Sequence, residues 1–129
     1  LQRSYGGQWF KGKSLDCSCP LGPWITTRDV IPDPHALTVT CRVNGEDKQR
    51  ASTRDMIFGI ARLVAELSAG MTLVPGDLIL TGTPGGIGYT RTPPERLEAG
   101  DVVETEIPGL GLLRNVVING ERSGSDGVC

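Results

Sequence analysis

Asn44-Gly45 stands between two strand-like runs and constrains this chain more than any other dipeptide in it. A two-residue hairpin turn that matches the twist of its strands needs positive φ at both central positions, which asparagine and glycine tolerate best. Before the turn, Leu37, Val39, Cys41 and Val43 alternate with Thr38, Thr40 and Arg42, the period-two pattern of a strand with one apolar side. After it, residues 46–51 return as a polar strand. The rest of the chain is punctuated in the same sense. With 18 Gly and 9 Pro among 129 residues, short strands and turns are favoured over long helices.

One helix is nevertheless expected. Ser52 and Thr53 are candidate caps, and Met56, Ile57, Ile60, Ala61, Val64 and Leu67 follow at three-and-four spacing, predicting an amphipathic helix over about 54–69 that stops near Gly70. Pro75-Gly76 then turns the chain into a short buried strand at 77–81, followed by the glycine-rich loop 82–88. Residues 93–100 read as one helical turn or a tight bend, and two further strands are expected at 101–107 and 112–118, joined by 108–111. Four prolines in 17–34 predict extended chain with turns. Trp9, Trp24 and Phe58 are core candidates. From Asn119 to Cys129 no apolar pattern persists, so a disordered tail is expected there. The sum is a mainly β, α+β chain without the strand–helix alternation of a doubly wound sheet.

Composition excludes several partners. The net charge of −2 has both signs mixed along the chain, with no basic stripe for nucleic acid. No apolar run approaches the ~20 residues of a membrane-spanning helix. Cys17 and Cys19 form a C-x-C pair too tight for a zinc knuckle, and His35 is the only histidine, so Cys17, Cys19, Cys41 and Cys129 read as reduced thiols of a cytoplasmic protein. Leu1-Gln2-Arg3 lacks the cap or turn chemistry of a natural start, and a partial chain is expected.

Two local features could carry chemistry. The loop Gly82-Thr83-Pro84-Gly85-Gly86-Ile87-Gly88 lets backbone approach a ligand, and Thr83 offers a hydroxyl there; a plain structural turn explains the same residues. No Lys-Ser or Lys-Thr closes it, so it is not a P-loop. Lys11-Gly12-Lys13-Ser14 could hold an anionic substrate or be a solvated basic turn. His35, in Asp33-Pro34-His35, reads as a loop residue rather than a base.

The order of four blocks adds a further constraint. They are Gln8-Trp9-Phe10-Lys11-Gly12-Lys13-Ser14-Leu15-Asp16, Cys19-Pro20-Leu21-Gly22-Pro23-Trp24, Gly76-Asp77-Leu78-Ile79-Leu80-Thr81-Gly82-Thr83-Pro84 and Gly100-Asp101-Val102-Val103. Together they resemble the fumarylacetoacetate hydrolase-like superfamily over residues 1–118, specifically its C-terminal catalytic-domain segment. The resemblance implies a mixed β-sandwich roll, present as a partial domain, and a cytoplasmic homodimer. It implies a hydrolase, decarboxylase or isomerase of small 2-oxo acids or 1,3-dicarbonyl compounds, acting through an enolate stabilised by Mg2+, or by Mn2+ or Ca2+ in its place. Lys13 matches the catalytic and substrate-binding lysine, Gln2 a substrate-binding glutamine, and Gly82 and Thr83 the loop that holds substrate oxygens. Lys11 is left as a supporting charge. The family's metal carboxylates have no counterpart in residues 1–129; they are expected upstream of Leu1, so this chain is expected to supply the substrate-binding half and to be inactive alone. A truncated, non-catalytic β-domain or assembly module, and an unrelated anion-binding module, are the competing readings.

Overall fold

A computed structural model describes residues 9–15 and 18–119. The element order is α1 (Trp9–Lys13), β1 (Thr38–Val43), β2 (Glu46–Ser52), α2 (Ile60–Ser68), β3 (Val102–Ile107) and β4 (Gly111–Val116), with single 3-10 turns at Thr53–Asp55 and Gly88–Thr90. The strands form one sheet in the order β2-β1-β3-β4, antiparallel throughout. The hairpin is where Asn44-Gly45 requires it: φ is 52° at Asn44 and 82° at Gly45. Asn44 also ties the turn to β3, its Nδ2 donating to Asp101 Oδ1 and its Oδ1 accepting from the Val102 amide, both at 2.9 Å.

The register slips once. Cys41 pairs with Gln49 but Arg42 pairs with Asp47, so Lys48 is an extra residue in β2. A bulge of this kind re-aims side chains at the cost of one ladder position. Asp47 lies on the same face as Arg42, which is bonded to it at 2.9 Å and to Glu106 at 2.8 Å. Lys48 and Gln49 both turn to the opposite face, alongside Cys41, Val43 and Val103. One face of the sheet therefore carries the charges Arg42, Asp47, Glu104 and Glu106, and the other carries Val39, Cys41, Val43 and Val103.

That second face is covered by loops rather than by another strand layer among the described residues. The glycine-rich segment lies over β2 and β1, and the Pro23-Trp24 segment lies over β3 and β4, with the Trp24 ring against Gly111. The covering is thin. No hydrophobic side chain among the described residues is buried, and Thr40, in the sheet, is the one polar side chain that is. Neither Trp24, at 63% exposure, nor Phe58, at 59%, fills a core, and the side chain of Trp9 lies outside the described residues. The apolar side of β1 is likewise only half-buried at Val39, Cys41 and Val43.

Other expectations need correction. The predicted helix at 54–69 is split. Ser52 and Asp55 close a reciprocal capping box around the 3-10 turn, Met56 is extended, and α2 starts only after Gly59. Ile60, Leu63 and Leu67 form its half-buried stripe. Residues 77–81 form no strand, because none of the described residues pairs with them as a ladder partner, and Leu78 and Leu80 are exposed. Residues 93–100 take the bend rather than the helical turn, with a turn at Ala99-Gly100, and the 3-10 turn lies earlier, at Gly88–Thr90. Lys11-Gly12-Lys13 belongs to the short helix α1 rather than to a turn. No helix among the described residues is long and apolar enough to cross a membrane.

Candidate functional site

The glycine-rich loop is held against β2 by side chains that the bulge delivers. Gln49 Nε2 donates to Thr83 Oγ1 at 2.9 Å, to Pro84 O at 2.8 Å and, more weakly, to Gly85 O at 3.4 Å. At Gly86, where φ is 98°, the loop backbone runs so close to β2 that a Cβ would stand 2.5 Å from Lys48 O. Arg91 bridges the same two strips of backbone, its Nη2 donating to Lys48 O at 2.7 Å and its Nε to Gly86 O at 3.2 Å. The bulged carbonyl thus finds the partner that the ladder denies it.

Charges close the far end of this staple. Lys48 Nζ lies 2.9 Å from both Glu46 Oε2 and Glu95 Oε2, and Arg91 Nη1 lies 3.4 Å from Glu95 Oε1. The hydrogen bond to Glu46, then that to Glu95, raises the Lys48 ammonium above its ordinary value. The Lys48 hydrogen bond holds the Glu95 carboxyl below its own, opposed by partial desolvation and assisted by Arg91. Lys48, Arg91 and Glu95 line a cavity of about 240 Å³ with Cys41, Ile87 and Val103, but they answer one another, which makes the cluster a clamp rather than a receptor.

On the other side of Gln49 lies a cavity of about 180 Å³, bounded by Val39, Ala51 and Thr53 on the sheet side and by Thr81, Gly82 and Thr83 on the loop side. Gly82 has φ 106°, and nothing stands within 4 Å of where its Cβ would be, so a ligand can reach the backbone there. Thr83 is exposed, and among the described residues its hydroxyl donates to no protein acceptor. This pairing of open backbone and available hydroxyl suits a carboxylate or an oxo oxygen.

The structure thus joins two of the predicted residues, Gly82 and Thr83. Lys13 ends α1, exposed, and is not among the residues lining the Thr83 cavity. Gln2 lies outside the described residues, as do Cys17, Cys129 and the tail beyond Asn119. His35 sits in a turn, its amide donating to Asp33 Oδ1 at 2.9 Å, beside Gly59 and away from the loop. Among the described residues no three His, Cys, Asp or Glu side chains cluster as metal ligands, so the residues present do not fit a metal site by themselves. Cys19 and Cys41 are free. Gln49 and Arg91 were not foreseen from sequence: the bulge that turns Gln49 towards the loop leaves no trace in the polar run 46–51.

Residues 1–118 match the family model described as fumarylacetoacetate (FAA) hydrolase C-terminal. The rat protein named oxaloacetate tautomerase Fahd2a, mitochondrial, is 49% identical over 117 residues, covering 91% of this chain and 37% of that protein. The fold is that of a fumarylacetoacetate hydrolase from psychrophilic Exiguobacterium antarcticum, with a TM-score of 0.87, 47% identity, and coverage of 92% of this chain and 42% of that one. A maleylpyruvate hydrolase from Sphingobium sp. SYK-6, in complex with manganese (II) and pyruvate, superposes with a TM-score of 0.79 at 39% identity, covering 90% of this chain and 41% of that one. The chain therefore spans roughly two-fifths of the length of each of these relatives. The cytoplasmic expectation is overturned, since similar curated proteins from rat, frog and human are named as mitochondrial.

Proposed function

We propose a reading that starts from the family: the chain belongs to the fumarylacetoacetate hydrolase C-terminal family, and its loop at Gly82-Thr83 is the substrate grip of an enzyme acting on small 2-oxo acids. The observation that carries this reading is the exposed Thr83 hydroxyl beside the open Gly82 backbone at the mouth of a cavity. A hydroxyl donor and backbone amides can hold a carboxylate while charge shifts between the oxo and enol forms. The names of the relatives support oxaloacetate as the substrate to try first. Lys13 would add a fixed cation and Gln2 a further hydrogen bond.

A divalent ion belongs to this reading, manganese being present with pyruvate in the maleylpyruvate hydrolase. The described residues supply no ligand set for it. What this chain contributes is the organic half of the site: it binds, orients and shields the substrate. The test is Thr83→Ala in the full-length protein containing residues 1–129, assayed on oxaloacetate keto–enol interconversion with magnesium or manganese. A rise in KM of roughly 10-fold is expected, the loss of one hydrogen bond to a charged group. An unchanged KM removes Thr83 from the site.

One observation favours a second reading, an assembly module without catalysis. Phe10, Trp24, Ile25, Ile57, Leu78, Leu80 and Ile118 are all more than half exposed, more apolar surface than a self-sufficient domain shows. The same surface serves the enzymatic reading if further polypeptide or a second copy packs on it. A full-length protein that is folded yet inactive on oxaloacetate with either metal would favour the module.

A further inference from the structure

The glutamine at the bulge does more than tether a loop. Its side-chain amide faces Pro84 O at 2.8 Å and Gly85 O at 3.4 Å. Backbone carbonyls only accept, so the amide must present its NH2 rather than its oxygen to this group. The same nitrogen lies 2.9 Å from Thr83 Oγ1. An NH2 group donates and has no lone pair to offer, so at this contact the threonine oxygen is the acceptor. The hydroxyl hydrogen is then turned away from Gln49, and among the described residues it meets no other protein acceptor. Two carbonyls read the orientation of the amide, and the amide sets the orientation of the hydroxyl.

We propose that Gln49 is a positioning residue that fixes the Thr83 hydroxyl as a hydrogen-bond donor, so that the loop selects anionic oxygen, a carboxylate or an enolate, over ligand groups that donate. The proposal rests on Thr83 touching substrate, as argued above. It also gives the Lys48 bulge a role: without the extra residue, Gln49 would not stand on the loop side of the sheet together with Lys48. The Arg91 bridge from Gly86 O to Lys48 O holds the loop at the distance at which the amide reaches all three acceptors.

The test is a double-mutant cycle in the full-length protein, with oxaloacetate as probe and thermal melts as the folding control. Gln49→Glu replaces a donor by a carboxylate that can only accept. It pulls the Thr83 proton towards itself and faces two carbonyls with negative charge. KM is expected to rise ~10- to 100-fold with a smaller change in kcat, as for the loss of a hydrogen bond to a charged group. Gln49→Met keeps the length and removes the donor, and serves if the glutamate variant does not fold. In a Thr83→Ala background neither substitution should raise KM further, because the group being oriented is gone. If Thr83→Ala raises KM while both Gln49 variants leave it unchanged, or if the Gln49 effect persists in full without Thr83, the positioning role is overturned and the substrate reading stands. If Thr83→Ala itself leaves KM unchanged, the substrate reading fails, and the proposal fails with it.

Discussion

Gly86→Ala tests the packing of the site in one substitution. The residue has φ 98°, and its Cβ would lie 2.5 Å from Lys48 O and 3.4 Å from Gln49 Cγ. Positive φ costs an alanine roughly 1–2 kcal/mol. The contact with Lys48 O is about 0.9 Å short of ordinary van der Waals separation, and both sides are backbone, so the loop must lift. Lifting strains the Arg91 bond to Lys48 O and the Gln49 bond to Pro84 O, each worth about 1 kcal/mol, more for the charged donor. The expected total is ~3–5 kcal/mol, with a loss of oxaloacetate affinity as Thr83 moves. Gly45→Ala is the matched control: its φ is 82° and nothing lies within 4 Å, so only the backbone term applies. Urea unfolding of the two variants in the full-length protein gives the comparison. Equal destabilisation by both would refute the close approach of loop to bulge on which the site depends.

Three further outcomes are expected. Glu95, held below its ordinary 4.5 by Lys48, contributes stability that is present above that pH and is lost as pH falls through its lower folded value. Acid should therefore lower the melting temperature of the parent protein more steeply below pH 4.5 than that of Glu95→Gln, and parallel curves would contradict the clamp. Lys13→Ala should reduce turnover in the full-length protein far more than it reduces the melting temperature, and equal loss of both would remove its catalytic role. The 129-residue chain by itself should bind a hydrophobic dye and self-associate at micromolar concentration, because Ile25, Ile57 and Leu80 are 90%, 91% and 76% exposed. Light scattering showing a stable, dye-free monomer would contradict that.

Local chemistry carried much of the fold into the sequence. Asn44-Gly45 announced its hairpin because only a few residues accept that backbone, and the strands expected at 101–107 and 112–118, joined by 108–111, form at 102–107 and 111–116. What tertiary pairing decides was not legible. The run at 77–81 looks like a buried strand but has no ladder partner among the described residues. The periodic stretch from Met56 begins its helix late because Ser52 and Asp55 spend their caps on a separate turn. At the candidate site, Gly82 and Thr83 could be singled out because their glycine-rich loop stands in a recognisable block. Gln49 was not, since an inserted bulge residue shifts a side chain to the other face without altering the polar character of its strand.

The most direct test of the substrate grip is a crystal structure of the full-length protein with manganese and oxalate, a mimic of the enolate. An oxalate oxygen is expected within roughly 2.5–3.0 Å of Thr83 Oγ1, close to the Gly82 backbone, with the Gln49 amide still bonded to Thr83 and Pro84. Oxalate bound away from the loop, with Thr83 donating back to residue 49, would contradict it.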